Sequence, residues 1–251
     1  MTLPCRLLTA ALLCLGLALP AQALDLENLS GADRALLHEE IRAYLLENPE
    51  VIMEAVAVLE ERQAVGQAEA DVQIVRANAD ALFASPHDWT GGNPQGDITL
   101  VEFMDYKCGY CRRAVSEVEG LIEEDGNIRL VLKEFPILGD ESMAAARFAI
   151  ATKQVAGDDA YKSVHDALMA YNGAMNEAGF TRLADALSLD ANAIVAEMDS
   201  DAVTGVIAAN HALAQRLRIS GTPSFVMDDR MLRGFVPQDA MQQVANEIRT
   251  Q

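Results

Sequence analysis

Cys108 and Cys111 are the residues whose type and spacing most directly suggest chemistry, because only Gly109 and Tyr110 separate them. Before them lies a β-prone stretch, Ile98 to Tyr106, and after them apolar residues recur at helical spacing. A sulfur at such a strand-to-helix junction lies near free N–H groups and the positive end of the helix dipole, where a thiolate is favoured over a thiol. We therefore expect Cys108 to be the nucleophile, and Cys111 to attack the resulting mixed disulfide and release the partner.

Positively charged side chains flank this motif in a chain that is otherwise strongly acidic. The 251 residues include 19 Lys and Arg against 38 Asp and Glu, which gives a formal net charge of -19. Neighbouring cations favour the thiolate further, and three stand beside the motif: Lys107, Arg112 and Arg113. The negative balance argues against a nucleic-acid partner, because phosphate binding depends on cationic side chains.

Other uses of a Cys-x-x-Cys pair fit this sequence less well. A structural zinc site normally has four ligands, whereas the sequence has no second pair of this kind and its four histidines are scattered. A c-type haem would need His directly after Cys111, where Arg112 stands. A purely structural disulfide over so short a loop would constrain the unfolded chain very little. We therefore predict a redox dithiol with no metal ion and no cofactor.

The first 23 residues have the layout of a cleavable secretory signal peptide. A single cation, Arg6, precedes an apolar stretch from Leu7 to Leu19, and the small-x-small run Ala21-Gln22-Ala23 ends the segment. The apolar stretch is shorter than the about 20 residues of a membrane-spanning helix. Cleavage after Ala23 would remove the other two cysteines, Cys5 and Cys14. The predicted compartment is therefore one where disulfides persist, and the dithiol would be the only cysteine pair there.

The elements around the motif predict an α/β fold. The strand over Ile98 to Tyr106 and the helix from Cys108 to Glu124 are followed by a second strand that starts at Ile128 and ends at Pro136. An Ala-rich span of four or five helices comes next, over residues 140–218. After Gly221-Thr222-Pro223, the pattern predicts a β-hairpin and a closing helix over residues 236–249. This order indicates a sheet core with one helical insertion.

A helical segment over residues 24–84 precedes this core. Its second helix is predicted to start at Asn48-Pro49-Glu50, which supplies a cap, a Pro at the first helical position and an early acid. Two interpretations stay open: helices packed on their own domain, or a protruding oligomerisation arm with Gly66 as a hinge. The turn-rich run over residues 85–97 marks the predicted boundary, so residues 85–251 form the main domain.

These motifs together resemble the DsbA-like branch of the thioredoxin superfamily, from about Asp97 to Arg249. The resemblance rests on the block from Val101 to Cys111, the block from Glu134 to Gly139, the helical insertion and the run Gly221-Thr222-Pro223-Ser224-Phe225. With the N-terminal helices and their Asn48-Pro49-Glu50-Val51 run, the chain is most similar to the ScsC (suppressor of copper sensitivity) subgroup. The resemblance implies a thioredoxin fold with a helical insertion, preceded by an α-helical N-terminal arm.

The resemblance also implies roles for residues outside the dithiol. Pro223 matches the family's cis-proline, which packs beside the dithiol, and Thr222 would offer backbone hydrogen bonds to an extended substrate segment. Glu102 matches the family's buried acid beneath the active site, where a carboxyl with a raised pKa would relay a proton to or from Cys111. Glu134 is a second candidate for a similar role. Without the resemblance, Gly-Thr-Pro would be an ordinary turn. Glu102 would have an exposed strand acid as its alternative, but its apolar neighbours on both sides favour burial.

The residues between the cysteines favour one activity among several. We expect Gly109 and Tyr110 to contact the substrate, as Thr222 and Pro223 would. The strongly oxidising DsbA proteins have Pro-His at these two positions, whereas Gly-Tyr together with Thr222 resembles the pattern of the periplasmic isomerases. We expect a periplasmic thiol–disulfide oxidoreductase that leans towards isomerase or reductase. Its partners would be exported proteins with cysteines or disulfides, a membrane protein that resets the dithiol, and further copies of the chain bound through the N-terminal helices.

Three alternatives remain open at this stage. The first is a DsbA-type oxidase that introduces disulfides with the same two sulfurs. The second is a copper-tolerance module, because thiolates suit Cu(I) and Met104 and Met227 lie near the two active-site blocks, although methionines are more simply core residues. The third is a binding or chaperone-like protein that uses the cleft near Pro223.

Overall fold

The computed structural model describes residues 29–250, so the predicted signal peptide lies outside the described residues. By their contacts the residues form two compact units that divide after Glu61. No helix in the described range has both the length and the apolar composition needed to cross a lipid bilayer. The elements, in chain order, are α1 Gly31–Glu47, α2 Glu50–Ala77, α3 Ala79–Phe83, β1 Trp89–Gly92, β2 Ile98–Met104, α4 Gly109–Asp125, β3 Ile128–Glu134, α5 Asp140–Ala156, α6 Asp158–Ala170, α7 Glu177–Ala186, α8 Ala191–Glu197, α9 Asp201–Arg216, β4 Ser224–Met227, β5 Arg230–Arg233 and α10 Gln238–Arg249.

The N-terminal segment is helical, as the sequence predicts, and its second helix starts at the predicted position. Ser30 caps α1, because its Oγ accepts a hydrogen bond from the N–H of Asp33 at 3.2 Å. Asn48 ends α1, and α2 starts directly after Pro49. No residue of α1 is buried, so packing within the chain contributes little to this helix.

The sheet has five described strands in the order β1-β3-β2-β4-β5. Strands β2 and β3 are parallel at its centre, while β4 pairs antiparallel with β2 and β5 antiparallel with β4. Successive side chains point to opposite faces, so Leu100 and Leu130 join one core cluster and Val101 and Val131 the other. This mixed sheet with helices confirms the predicted α/β class and the thioredoxin-like architecture.

Helix α4 follows β2 directly and presents its apolar face to the sheet. Its buried residues recur every three or four positions, as an amphipathic helix requires: Cys111, Ala114, Val118 and Leu121. Gly126 ends the helix in the left-handed conformation, with φ of 68°, which glycine adopts without a steric penalty. The predicted strand–helix–strand unit around the dithiol is therefore confirmed.

The predicted helical insertion is also present. Five described helices, α5 to α9, lie between β3 and β4, in agreement with the four or five expected. Their buried residues include Phe148 and Phe180, whose rings stack with centroids 4.6 Å apart. These residues belong to the same core cluster as Cys108 and Cys111, so the insertion packs on the active-site face of the sheet.

Strand β1 is a feature that the sequence prediction missed, because residues 85–97 were interpreted as turn chemistry. Trp89 opens this edge strand, which pairs antiparallel with β3. The Trp89 ring stacks on Tyr161 at 6.0 Å between centroids, and its Nε1–H donates to the backbone oxygen of Asp158 at 3.1 Å. The preceding residue, Asp88, forms a buried ion pair with Lys133 of β3. Partners distant in sequence thus hold a turn-prone segment in the sheet.

The second half of α2 and helix α3 contribute to the core of the larger unit. Val75 and Leu82 are buried with Phe103, Phe135 and other residues on the sheet face opposite α4. The boundary predicted at residue 85 stays a prediction. These contacts nevertheless mean that residues from about 71 onwards share the hydrophobic core of the residues that follow.

Candidate active site

Cys108 lies at the junction between β2 and α4, where it serves as the N-cap of the helix. Its Sγ accepts a hydrogen bond from the backbone N–H of Cys111 at 3.4 Å. The same sulfur lies 3.2 Å from the backbone oxygen of Thr222, to which its thiol donates. Cys108 and Cys111 are both free thiols, 7% and 0% exposed respectively. Cys108 is therefore the sulfur that a partner can reach.

Cys111 lies behind Cys108 on the buried face of α4. Burial raises the pKa of the Cys111 thiol well above its ordinary value, and the nearby Glu102 carboxyl acts in the same direction. The Asp105 backbone partly opposes this rise. The thiol form of Cys111 is thus strongly favoured in the reduced protein, and it needs a proton acceptor before it can attack a disulfide.

The Thr222–Pro223 segment lies directly against the dithiol. The Thr222–Pro223 peptide bond is cis, as the resemblance implied. The backbone oxygen of Pro223 accepts from the N–H of Gly234 at 3.0 Å, and Ser224 Oγ donates to the backbone oxygen of Gly221 at 2.8 Å. These bonds hold the loop on which the backbone oxygen of Thr222 approaches Cys108 Sγ.

Glu102 lies on β2, on the sheet face that carries Leu100 and α4. Its neighbours across the sheet are Leu132 of β3 and Phe225 of β4, both buried in the cluster that contains Cys111. Burial alone raises the pKa of Glu102 to about 8. The structure therefore brings a buried, easily protonated carboxyl group close enough to raise the pKa of Cys111.

The dipeptide between the cysteines forms the exposed rim of the site. Gly109 faces open space, and the Tyr110 side chain is 55% exposed. The Arg113 guanidinium lies 4.7 Å from the centre of the Tyr110 ring. The centre of the Phe235 ring lies 6.3 Å from that of Tyr110, with an angle of 45° between the two ring planes. These contacts place an aromatic surface beside Cys108.

Glu134 belongs to a separate buried network rather than to the immediate surroundings of the dithiol. Its Oε1 accepts hydrogen bonds from Tyr106 and Tyr161, each at 2.7 Å. Tyr106 Oη also lies 3.2 Å from His165 Nδ1. Burial raises the pKa of Glu134 to about 8 and lowers that of His165 to about 4. Local sequence patterns could not indicate these partners, because Tyr161 and His165 come from α6 in the helical insertion.

Asp105 ties the loop before Cys108 to the block after β3. Its carboxylate accepts hydrogen bonds from the backbone N–H groups of Lys107, Ile137 and Leu138 at 2.8, 2.8 and 3.1 Å. It also accepts from Ser142 Oγ at 2.7 Å. Nothing in the local sequence indicates these contacts, because Ile137, Leu138 and Ser142 lie more than 30 residues after Asp105.

Metal-binding groups are sparse in the described part of the chain. Residues 29–250 contain no group of three or more His, Cys, Asp or Glu side chains placed to hold a metal ion. Met104 and Met227 are both fully buried in the core cluster on the α4 face of the sheet. Their burial agrees with the simpler interpretation, in which methionines fill the core.

Comparison with known proteins agrees with this geometry. A family model described as DSBA-like thioredoxin domain matches residues 99–248. The chain belongs to this DsbA-like thioredoxin family, which is a class of thiol–disulfide oxidoreductases. A second family model, described as Copper resistance protein ScsC N-terminal domain, matches residues 33–64. The predicted similarity to the ScsC subgroup is thereby confirmed.

Individual relatives extend the comparison. A thioredoxin-like oxidoreductase from Silicibacter pomeroyi DSS-3 is 45% identical, with a TM-score of 0.64 over 68% of this chain and 98% of that chain. BcfH from Salmonella enterica Typhimurium is 29% identical, with a TM-score of 0.71 over 86% of this chain and 95% of that chain. The Na(+)/H(+) antiporter NhaA 3 of Salinispora tropica is 29% identical over 147 residues, 59% of this chain and 22% of the antiporter. This chain thus covers less than a quarter of the curated relatives that it matches.

Proposed function

We propose that this protein exchanges disulfides with exported proteins through Cys108 and Cys111. The observation that carries the proposal is the position of Cys108 Sγ, at the N-cap of α4 and 3.2 Å from the backbone oxygen of Thr222. A partner that pairs with the backbone near Thr222 and Pro223 would bring its own sulfur to Cys108. The predicted signal peptide supports a periplasmic location.

The reaction in the reducing direction has two steps. The Cys108 thiolate attacks one sulfur of the partner's disulfide, which forms a mixed disulfide and releases the other partner sulfur as a thiolate that takes up a proton. Cys111 then loses its proton and attacks the sulfur of Cys108, which releases the second partner thiol. The partner gains two electrons, and the Cys108–Cys111 disulfide holds the oxidised state. A membrane redox partner would then return the dithiol to its reduced form.

Glu102 is proposed to accept the proton that Cys111 must lose. Its pKa of about 8 allows the carboxyl to hold or release a proton near neutral pH. The position of Glu102 supports this pairing, because its neighbours across the sheet, Leu132 and Phe225, belong to the same core cluster as Cys111. The carboxyl also helps to raise the pKa of that thiol. Glu134 is less suited, since both tyrosines already donate to its carboxylate.

The proposed direction of activity is isomerase or reductase rather than oxidase. Its support is the Gly109-Tyr110 dipeptide, which leaves the site without the Pro-His pair of the strong oxidants. The test compares three rates for the purified protein: reshuffling of a scrambled disulfide protein, reduction of insulin, and oxidation of a reduced protein. We expect the first or second activity. Rapid oxidation with neither of the others would show a DsbA-type oxidase instead.

Further copies of this chain are the proposed partners of the N-terminal helices. No residue of α1 is buried, and large apolar side chains stay exposed along α1 and the first half of α2. Six of these are more than half exposed: Leu36, Tyr44, Leu46, Ile52, Met53 and Leu59. An apolar surface of this extent favours helix–helix association between chains, as an oligomeric isomerase with several active sites would need.

Copper binding is a second candidate function. One observation favours it: the family model matched by residues 33–64 carries the name of a copper resistance protein. The two thiols of the site would supply soft ligands to Cu(I) as cargo. Disulfide exchange measured with a strong Cu(I) chelator present separates the candidates. Turnover that chelation leaves unchanged, together with weak binding in a Cu(I) competition assay, supports the redox enzyme. Tight Cu(I) binding that blocks disulfide exchange would support the copper-binding role.

A further inference from the structure

A cavity with two arginines in its wall lies beside the cis-proline loop of this acidic protein. A cavity of about 210 Å³ lies against the cis-proline loop, and Thr222 and Pro223 form part of its wall. Two guanidinium-bearing residues, Arg218 and Arg233, line the same cavity. Thr222 therefore lines this cavity and, through its backbone oxygen, also contacts Cys108 Sγ.

The two arginines are not equivalent. Arg233 of β5 makes two hydrogen bonds to Asp71 of α2, at 2.6 and 2.9 Å. Its guanidinium lowers the pKa of Asp71, so that pair is charged and its charges offset each other. Arg218 is exposed, and its side chain makes no hydrogen bond or close ion pair within residues 29–250. Its charge also lowers the pKa of Asp71, so two guanidinium groups stand against one carboxylate at this cavity. The charge available to a ligand in the cavity is therefore that of Arg218.

The backbone at Arg218 fixes the point at which this side chain leaves the main chain, directly before the cis-proline loop. Arg218 follows α9 in the left-handed conformation, with φ of 56°, and its N–H donates to the backbone oxygen of Gln215 at 3.1 Å. The next residue, Ile219, is buried and donates its N–H to the backbone oxygen of Ala214 at 2.8 Å. A non-glycine residue rarely adopts this conformation, and here it turns the chain from α9 into the cis-proline loop.

We propose that Arg218 and the cavity beside Pro223 form a subsite for an acidic side chain of the substrate polypeptide. This inference rests on the proposed function, because it assumes that a polypeptide segment docks along Thr222 and Pro223. A segment that places its cysteine opposite Cys108 extends its neighbouring residues past the cavity. An Asp or Glu within a few residues of the cysteine pairs with Arg218, whereas a Lys there meets a like charge. The site thus selects among disulfides by the charge around them.

The test uses three symmetrical peptide disulfides that differ at the positions two before and two after the single cysteine. These positions carry Glu, Gln or Lys, and each rate of reduction by the protein is divided by the rate with dithiothreitol. That division removes the intrinsic effect of the charges on thiol reactivity. We expect the full mature protein to favour the Glu peptide over the Gln peptide by about threefold to fivefold, and the Lys peptide to be slowest. The preference should approach one at about 1 M salt.

Substitutions at Arg218 test whether this residue causes the preference for the Glu peptide. Arg218→Gln is expected to bring the Glu-to-Gln ratio close to one, and Arg218→Glu to favour the Lys peptide. Arg182→Gln, which removes an exposed cation of α7, is the matched control and should keep the wild-type ratio. Ratios within one variant cancel any general loss of activity. An equal rate for all three peptides, or a ratio that Arg218→Gln leaves unchanged, would overturn the subsite alone. If the wild-type protein reduces none of the peptides, the proposed function itself fails.

Discussion

Two buried glutamates, Glu102 and Glu134, lie in different surroundings. Glu102 lies on the same sheet face as Cys111, among apolar neighbours that leave its carboxyl without ordinary solvation. Glu134 has a similar pKa but a different environment, since two tyrosine hydroxyls donate to it. The structure therefore separates the two acids, one beside the reacting thiols and one in a hydrogen-bonded network.

The roles of the predicted site residues stay predictions, while several of the contacts around them could not be predicted from the sequence. The dithiol, Thr222, Pro223 and Glu102 were found from local motifs and a family resemblance. The link between Asp71 and Arg233 escaped prediction, because 162 residues separate the two side chains in sequence. Periodicity within a segment carries no information about such a partner.

Replacing Glu102 with Gln should change how stability depends on pH. Below the ordinary pKa of 4.5 the carboxyl is protonated in both folded and unfolded states, and it has no effect. Between 4.5 and about 8 only the unfolded state ionises, so the wild-type protein loses stability as pH rises. The free energy of unfolding of Glu102→Gln relative to wild type should therefore increase over this range, by up to about 5 kcal/mol.

Urea unfolding at pH 5 and pH 8 measures this difference. Glu134 and His165 titrate in both proteins, so their contributions cancel in the comparison. Glu123→Gln, on an exposed position of α4, is the control and should show the same difference from wild type at both pH values. A Glu102→Gln difference that stays constant between pH 5 and pH 8 would contradict the buried, protonated carboxyl.

At the scale of elements, α4 and the end of α2 show why local patterns predict some boundaries and not others. The start of α4 was predictable, since a β-prone run gives way to helical spacing at Cys108. Strand β1 was missed because Trp-Thr-Gly-Gly has little strand character, and its place depends on Tyr161 and Lys133. Likewise, nothing local indicates that Val75 and Leu82 contribute to the core.

Leu82→Ala tests whether α3 belongs to the core of the larger unit. Leu82 is fully buried against residues of the sheet, so removing its methyl groups leaves a cavity. We expect the free energy of unfolding to fall by about 3 kcal/mol, measured by denaturant titration. Leu138→Ala, at a side chain that is 51% exposed, should change it by less than about 1 kcal/mol. Equal effects of the two substitutions would argue against the packing described for α3.

At the scale of the whole molecule, the chain combines a helical unit with exposed apolar residues and a redox unit with a buried core. The sequence indicated a helical unit and a redox unit, because the helix signals and the thioredoxin-like motifs occupy different parts of it. The residue at which the chain can be cut between the two units was not predictable. A truncation at residue 84 would take Val75 and Leu82 from the core, whereas the contact boundary lies after Glu61.

Deleting the mature residues up to Glu61 should give a folded, monomeric redox unit. The exposed apolar surface of α1 and early α2 is removed, while the core contacts of Val75 and Leu82 are kept. Light scattering after gel filtration measures the oligomeric state, and circular dichroism checks the fold. Met53→Glu in the full-length mature chain is the companion variant and should also favour the monomer. An oligomeric state that neither change alters would refute a role for these helices in association.

The most direct test of the central claim is to trap the intermediate on Cys108. In Cys111→Ser the resolving thiol is absent, so mixed disulfides formed on Cys108 should persist. We expect non-reducing gels of the exported fraction to show protein adducts that dithiothreitol removes, with peptide mapping placing the bond at Cys108. Cys108→Ser should give no adducts and no turnover. If Cys111→Ser forms no adducts with any disulfide-containing protein, or forms them at a residue other than Cys108, the account is contradicted.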